Sequence, residues 1–380
     1  MDYEDNSIDG IIAYYSIIHT PKDQVHFFFK EFRRILSRKG KLAAKACPWQ
    51  ITPAHFFSFL EPVREKFGQI IQCPAADVAI VPSVSYGMAI AAKNLPLEQG
   101  QEILVLEDQF PSNIYSWQAR AREKHAVITT VKRPKDFNWT HAVLEAITPR
   151  AAIAALPHCH WTDGSCLDVV AIGQHCREMG VTLCIDATQS LGAMPLSVEE
   201  VQPDFLVTTA HKWLLGPYSY GFCYVAPKWQ QGIPLEENWM NREGSQDFSR
   251  LVDYRDSYQA GARRFEMGEA SNFFLSPIVD ASLGQILDWG VENIAAALEN
   301  KTDDIAQKAK ALGLTVPPKN MRASHLIGVT LPNGIPPGLG DQLAANSIYV
   351  SIRGDAIRIA PHLYTTEIDI NRLFDLLASI

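Results

Sequence analysis

The chain has 380 residues, 47% of them hydrophobic and 20% charged, with 34 basic and 42 acidic side chains and a formal net charge of −8. Length gives a soft expectation of two or three domains around a large core, and scattered basic residues on an acidic chain exclude an electrostatic case for nucleic-acid binding. The apolar run Ile11 to Ile18 falls well short of the ~20 residues that span a bilayer, so no membrane partner is expected, and the acidic start Met-Asp-Tyr-Glu-Asp lacks the positive region of a signal peptide.

The first 42 residues read as a strand, Ile8–Ile18, and an amphipathic helix, Lys22–Ser37, whose Lys30–Arg34 cluster is a solvated face. From residue 78 to 226 short apolar runs alternate with helical patterns. The runs are Val78–Val81, Ile103–Leu106, Val127–Val131, Ala151–Leu156, Thr182–Ile185, Phe205–Thr208 and Gly221–Val225. They are rich in Val and Ile and do not alternate, which suits strands buried on both faces. The helical candidates are Tyr86–Asn94, Ile114–Lys124, Trp139–Ile147 and Leu167–Met179. This βαβ rhythm predicts an α/β fold with a mainly parallel sheet of seven strands and helices on both faces.

After Gly261 the pattern changes. One long helix is expected over roughly Pro277–Lys310. Strands follow at Leu326–Leu331, Tyr349–Ile352 and Ala356–Ala360, and a last helix at Glu367–Leu377. The Pro/Gly-rich stretch Pro332–Gly340 reads as a loop. The expected division is a segment 1–42, a large unit 43–276 and a smaller α+β unit 277–380. The cysteines Cys47, Cys73, Cys159, Cys166, Cys176, Cys184 and Cys223 are odd in number and fit no zinc or disulfide spacing. They read as free thiols in a cytoplasmic protein, with no metal site.

The segment Thr208-Thr-Ala-His-Lys-Trp-Leu-Leu-Gly-Pro217 follows a strand and precedes a Gly/Pro turn. A lysine at the end of a buried strand loses hydration, which lowers its pKa and makes a neutral amine available. That is what a Schiff-base lysine requires. Upstream, Thr182-Leu-Cys-Ile-Asp-Ala-Thr-Gln189 is a second buried strand ending in a carboxylate. An acid so placed suits the ring nitrogen of pyridoxal 5′-phosphate, or PLP. Asp186 is equally read as a helix cap or loop residue.

With Asp186-Ala-Thr-Gln189 and His211-Lys212 at this separation, the chain resembles the class V (cysteine desulfurase-like) branch of the fold-type I PLP-dependent transferases. The resemblance runs from about Ala43 to the C-terminus. It implies PLP as cofactor, Lys212 as the lysine that carries it, Asp186 on the pyridine nitrogen and Gln189 near the phenolic oxygen. It also implies Thr209 and His211 at the phosphate. Ser83-Val-Ser-Tyr-Gly-Met88 offers a phosphate cradle at a helix N-terminus, with Ser85 as the hydroxyl and the backbone around Tyr86 beside it. A plain serine N-cap is the alternative. Glu107-Asp-Gln-Phe-Pro-Ser-Asn113 aligns Phe110 with the family's ring-stacking residue, usually His, so no acid–base group stands there. Trp161, in His158-Cys-His-Trp-Thr162, aligns with an Asn that reaches the cofactor in relatives; His158 and His160 equally read as core histidines. Ser271 or Asn272 resembles the segment that reaches a partner's phosphate, which implies a homodimer. Arg358 matches the family's substrate-carboxylate arginine, with Arg353 as second candidate.

A cysteine desulfurase needs a nucleophilic cysteine on the loop before that arginine. The last cysteine in this chain is Cys223, which disfavours persulfide transfer. The expectation is an enzyme acting on an amino acid or small amine, first an aminotransferase with Lys212 as general base. A C–S or β-lyase or an epimerase similar to isopenicillin N epimerase stands second, and a catalytically impaired PLP-binding protein third. Separately, Asp5 to His19 with Phe32-Arg-Arg-Ile-Leu and Lys39-Gly40 resembles a late piece of an S-adenosylmethionine-dependent methyltransferase. The glycine-rich loop that would hold that cofactor is missing, so methyl transfer is not expected.

Overall fold

The computed structural model describes residues 48–379. The strand and helix expected within residues 1–42 lie outside the described residues. The main elements are α1 (Leu60–Ile71), β1 (Val78–Val81), α2 (Val84–Asn94), β2 (Glu102–Leu106), α3 (Tyr115–Lys124), β3 (Val127–Val131), α4 (Trp139–Ala146), β4 (Ala151–Pro157), α5 (Val169–Met179), β5 (Thr182–Asp186), β6 (Phe205–Thr209) and β7 (Gly221–Val225). They continue with α6 (Leu275–Trp289), α7 (Val291–Ala311), β8 (Ile327–Thr330), α8 (Leu339–Ala345), β9 (Ser351–Arg353), β10 (Ala356–Ile359) and α9 (Glu367–Ala378).

Seven strands form one sheet in the order β1-β7-β6-β5-β4-β2-β3. Strands β2 to β6 run parallel, and β7 is antiparallel to both β6 and β1. The reversal at β7 has a simple cause. The link from Thr209 to Gly221 is too short for the crossover that a parallel neighbour needs. Side chains on each strand divide by period two between the faces. Val78, Ile80, Leu104, Leu183, Leu206 and Phe222 join one buried cluster with α1, α4, α5 and α6. Ala79, Val81, Ile103, Cys184, Val207 and Cys223 join the other with α2 and α3. Both faces are thus covered, which is why these runs carry no polar alternation.

The single helix expected at Pro277–Lys310 is two helices, α6 and α7. Gly290, at φ +77°, turns the chain between them. Its left-handed backbone costs glycine nothing and other residues a good deal. Leu283 and Ile286 of α6, and Val291, Ile294 and Leu298 of α7, pack with the large sheet. Further along the same helix, Ile305, Ala306 and Ala309 pack with β8, β10 and α9. Helix α7 therefore joins two cores. The second core lies on a small antiparallel sheet, β8-β10-β9. The loop expected through Gly340 ends sooner, because α8 starts at Leu339.

Helix α2 lies unusually close to β6. A Cβ at Gly87 would sit 2.5 Å from Val207 Cγ1. This approach seats the helix N-terminus beside the strand that leads to Lys212. Gly87→Ala should destabilise the protein by about 1–3 kcal/mol through overpacking, and Val207→Ala in the same chain should recover part of that loss. Urea unfolding of the three variants checks it; an unchanged single variant counts against the close approach.

Candidate active site

The carboxyl ends of β5 and β6 are adjacent, the place where open α/β sheets present their chemistry. Asp186 closes β5 and is 7% exposed. Its Oδ1 accepts the Thr188 amide at 3.0 Å. Burial raises its pKa; hydrogen bonds from Thr188 and the charge of Lys212 offset part of the rise. Lys212 stands three residues beyond β6, in a tight loop where Leu215 N–H donates to its carbonyl at 3.1 Å and Gly216 N–H returns to Ala210 at 2.8 Å. Burial lowers the Lys212 pKa, Asp186 works against that, and Arg358 adds to it. Gly192, at φ +95°, fixes the packing here. A Cβ on it would lie 2.1 Å from the Trp213 carbonyl oxygen, so the chain after Gln189 can press on the backbone next to Lys212 only without a side chain.

Around this pair the structure gathers most of the expected residues. The Lys212 Nζ lies 5.5 Å from the centre of the Phe110 ring. Phe110 is 40% exposed, so it is an open aromatic surface and not plain core. Its ring meets Trp161 edge-on at 5.5 Å. Trp161 Nε1 donates to the Asp108 carbonyl at 2.6 Å. Arg358 Nη1 donates to the Trp161 carbonyl at 3.0 Å, and the Arg353 guanidinium lies 5.7 Å from the Trp161 ring centre. The Gln189 carbonyl accepts from His325 Nε2 and lies 3.6 Å from Cys159 Sγ. Thr209 has a buried hydroxyl with no partner. His211 stacks on Tyr218 at 3.8 Å, and burial with the Lys212 charge lowers its pKa to about 4, so it is a neutral imidazole at pH 7.

Other expected residues are placed differently. The N-cap of α2 is Ser83, whose Oγ accepts the Tyr86 amide at 3.2 Å. That leaves Ser85, exposed and 2.9 Å from the Ser83 hydroxyl, free of the capping role. The Tyr86 side chain lies beside Glu236, which together with burial pushes its phenol pKa up. It is not joined to the Lys212 group. Within the single chain Ser271 donates to Met240 Sδ at 3.6 Å, and Asn272 caps α6 by accepting the Leu275 amide at 2.8 Å. Neither is brought to Lys212. His160 is a satisfied core histidine. Its Nε2 donates to the Glu107 carbonyl at 3.0 Å and its Nδ1 accepts from Thr162 at 2.7 Å. His158 keeps a buried Nδ1 without a partner, and burial lowers its pKa to about 4.

Three supporting groups escape a reading of the sequence. Arg133 ties down the loop that carries Trp161, with Nη1 2.5 Å from Asp163 Oδ2 and Nη2 3.1 Å from Thr162 Oγ1. His325, far away in the chain, reaches Gln189. Cys159 and Cys166 face each other across a short antiparallel bridge. A hydrogen bond from Cys166, helped by His325 and Lys212, favours the thiolate on Cys159, while the proton stays on Cys166. A motif search finds none of these, since each depends on long-range packing. Among the described residues no group of His, Cys, Asp and Glu is arranged to hold a metal ion, and no helix is long and apolar enough to cross a membrane.

Comparison with known proteins places these features in context. The family described as "Aminotransferase class-V" matches residues 52–369. An uncharacterized aminotransferase of Bacillus subtilis, YcbU, is 27% identical over 84% of this chain and 83% of its own length. Isopenicillin N epimerase of Streptomyces clavuligerus is 23% identical over 92% of this chain and 91% of its own. Among solved structures, a complex of the cystine C–S lyase C-DES with its product cysteine persulfide superposes with a TM-score of 0.77, at 20% identity, covering all of this chain and 97% of the other. That last likeness supports the fold-type I architecture. The methyltransferase likeness of residues 1–42 is not borne out, and those residues precede the family match.

The raised Asp186 pKa has a sign that can be tested. Between the unfolded value of 3.8 and the higher folded one, the folded chain holds a proton that the unfolded chain has lost. Stability therefore falls as pH rises through that window, and above it the buried carboxylate is a cost. Asp186→Asn should raise the Tm of the protein stripped of any bound PLP by about 2 °C at pH 7–8, and the gain should vanish below pH ~4. Calorimetry at the two pH values checks this; a lower Tm at pH 7–8 would overturn the electrostatic reading.

Proposed function

The chain belongs to the class-V aminotransferase family, and from that premise we propose that it is a PLP-dependent enzyme acting on an amino acid or small amine, first of all an aminotransferase. The observation that carries the reading is the pairing of a desolvated lysine with a buried carboxylate at adjacent strand ends. The unpartnered Thr209 hydroxyl adds to it. Buried polar groups seldom go without partners, so this one fits a site that a polar ligand completes. The donor set suits PLP: an acid for the ring nitrogen, an amine for the aldehyde, and hydroxyls with a helix N-terminus for the phosphate.

When bound, PLP supplies an electron sink conjugated to the substrate's amino group. The chain's residues would then divide the work. Asp186 holds a proton at the ring nitrogen. Phe110 and Trp161 offer an apolar face that keeps water off the ring. Ser85, Thr209, His211 and the backbone at the start of α2 by Tyr86 would hold the phosphate, with the helix N-terminus adding a favourable dipole. Gln189 would serve the phenolic oxygen, as the family resemblance implies. Neutral His211 would donate one hydrogen bond to the phosphate without adding a positive charge. Arg358 grips the substrate carboxylate through its two-pronged guanidinium. Lys212 Nζ, with its pKa depressed, takes a proton from the substrate Cα and returns it. Phe110 carries no titratable group, so proton traffic on this side falls to Lys212. In a homodimer, Ser271 or Asn272 would complete the partner's phosphate site.

Elimination or epimerisation is the second reading, favoured by the likeness to isopenicillin N epimerase over nearly the whole chain. The protein loaded with PLP should show a visible absorbance band that borohydride bleaches and that Lys212→Ala abolishes. Amino acids should then yield their 2-oxo acids only stoichiometrically until an acceptor 2-oxo acid is supplied. Sustained turnover without an acceptor would replace the transaminase reading with a lyase, and a wild-type protein without the band would overturn PLP itself.

A further inference from the structure

Arg353 and Arg358 stand on neighbouring strands of the small sheet. The register pairs Arg358 with Ser351 and Ala356 with Arg353. Directly opposed residues share a face, as do residues two apart on one strand. Both arginines therefore project from the same face, as diagonal neighbours whose Cβ atoms are roughly 7–8 Å apart, within reach of long side chains. Both also meet the residue at the mouth of the site. Arg358 donates to the Trp161 carbonyl, and Arg353 lies over the Trp161 ring, which in turn meets Phe110.

The two guanidiniums are not equivalent. Arg358 is the one that acts electrostatically on Lys212. Arg353 uses Nη1 on its own neighbour's carbonyl, that of Ile352. Its Nε is buried and has no hydrogen-bond partner, and no described carboxylate forms an ion pair with it. A guanidinium with a buried unpartnered N–H, set against an aromatic ring, is costly unless an anion completes it. Two guanidiniums on one face, Arg358 near the reacting amine and Arg353, with its unpartnered Nε, a diagonal step away, match a ligand with two negative charges.

We propose that Arg353 is a specificity residue that takes a second, side-chain anion, so that the enzyme acts on an acidic amino acid whose α-carboxylate is held by Arg358. The substrate class is an amino acid with a distal carboxylate or a comparable acid. This rests on the PLP-dependent reading above and deepens it. Trp161 touches both guanidiniums, Arg358 through its carbonyl and Arg353 through its ring. A neutral side chain would leave the half-buried Arg353 guanidinium without a counter-charge and its Nε without a partner, which discriminates against neutral substrates more sharply than lost contact area would.

Calorimetric titration of the PLP-loaded protein with succinate, glutarate and butyrate tests this. One of the diacids should bind on the order of tenfold or more tightly than butyrate, the gain of a charge-assisted pair. Arg353→Gln should remove most of that preference, weakening the diacid far more than butyrate, and Arg353→Lys should keep part of it by charge alone. A matching split should appear in KM between aspartate or glutamate and 2-aminobutyrate. Equal affinity for diacids and butyrate in the wild type, or equal weakening of both by Arg353→Gln in a variant with unchanged Tm, would overturn the proposal and leave the PLP reading standing. A PLP-loaded protein that binds none of the acids would likewise overturn the proposal, whereas the PLP reading falls only with the absorbance band.

Discussion

A carboxylate and an amine held out of water at the ends of two neighbouring strands set the terms for the rest of this molecule. Burial pushes the Asp186 pKa up and the Lys212 pKa down. Each shift favours the uncharged form, and each group partly counters the other. They do not close into an ion pair. Asp186 is level with Val207 in the sheet, while Lys212 sits beyond the end of β6 in a loop. The desolvation cost is therefore only partly repaid within the protein. A group that binds between them and meets both charges would lower that cost, and this is the physical sense in which the site is built for a ligand.

Holding two such groups apart demands a stiff frame. The strands that carry them are buried on both faces, with one set of side chains packed on α1, α4, α5 and α6 and the other on α2 and α3. Gly87 brings α2 against β6, and Gly192 brings the chain after Gln189 against the Lys212 loop. At these two points the distance between backbones is fixed by the absence of a side chain. The Trp161 loop, which is not part of the sheet, gains its rigidity from the Arg133–Asp163 ion pair and from His160 stacked on Trp139.

Much of this was legible in the sequence because it was written in local terms. Continuous Val/Ile runs marked strands covered on both sides, and the carboxylate and lysine stood at the ends of two of them. What could not be read depended on contacts between distant segments or on single backbone angles. The reversal of β7 follows from the length of its connection, in which the Gly216-Pro217 turn marks a bend but not the direction of the next strand. The break at Gly290 interrupts an otherwise unbroken helical pattern. Ser83 and Ser85 are indistinguishable by type, and only the backbone shows that Ser83 caps the helix. Asn272 looked available to a ligand, yet its side chain caps α6. Arg133 and His325 carry no motif at all, because their partners lie 30 and 136 residues away.

The division of labour between the two sheets bears on how such a site can change its substrate without changing its chemistry. The groups that would act on the Cα proton and the cofactor ring come from the large sheet and its loops. The arginines come from β9 and β10, short strands of a separate core. Helix α7 links the two cores, its first half packed on one and its second half on the other. A substitution at Arg353 on β9 would therefore alter which anion is gripped while leaving the Asp186–Lys212 pair in its own packing environment. Arg358 on β10 acts on the Lys212 charge, and Trp161 contacts Phe110 and both arginines. A change at either would disturb chemistry and selection together. For that reason Arg353, and not Trp161, is the position at which substrate choice can be separated from catalysis.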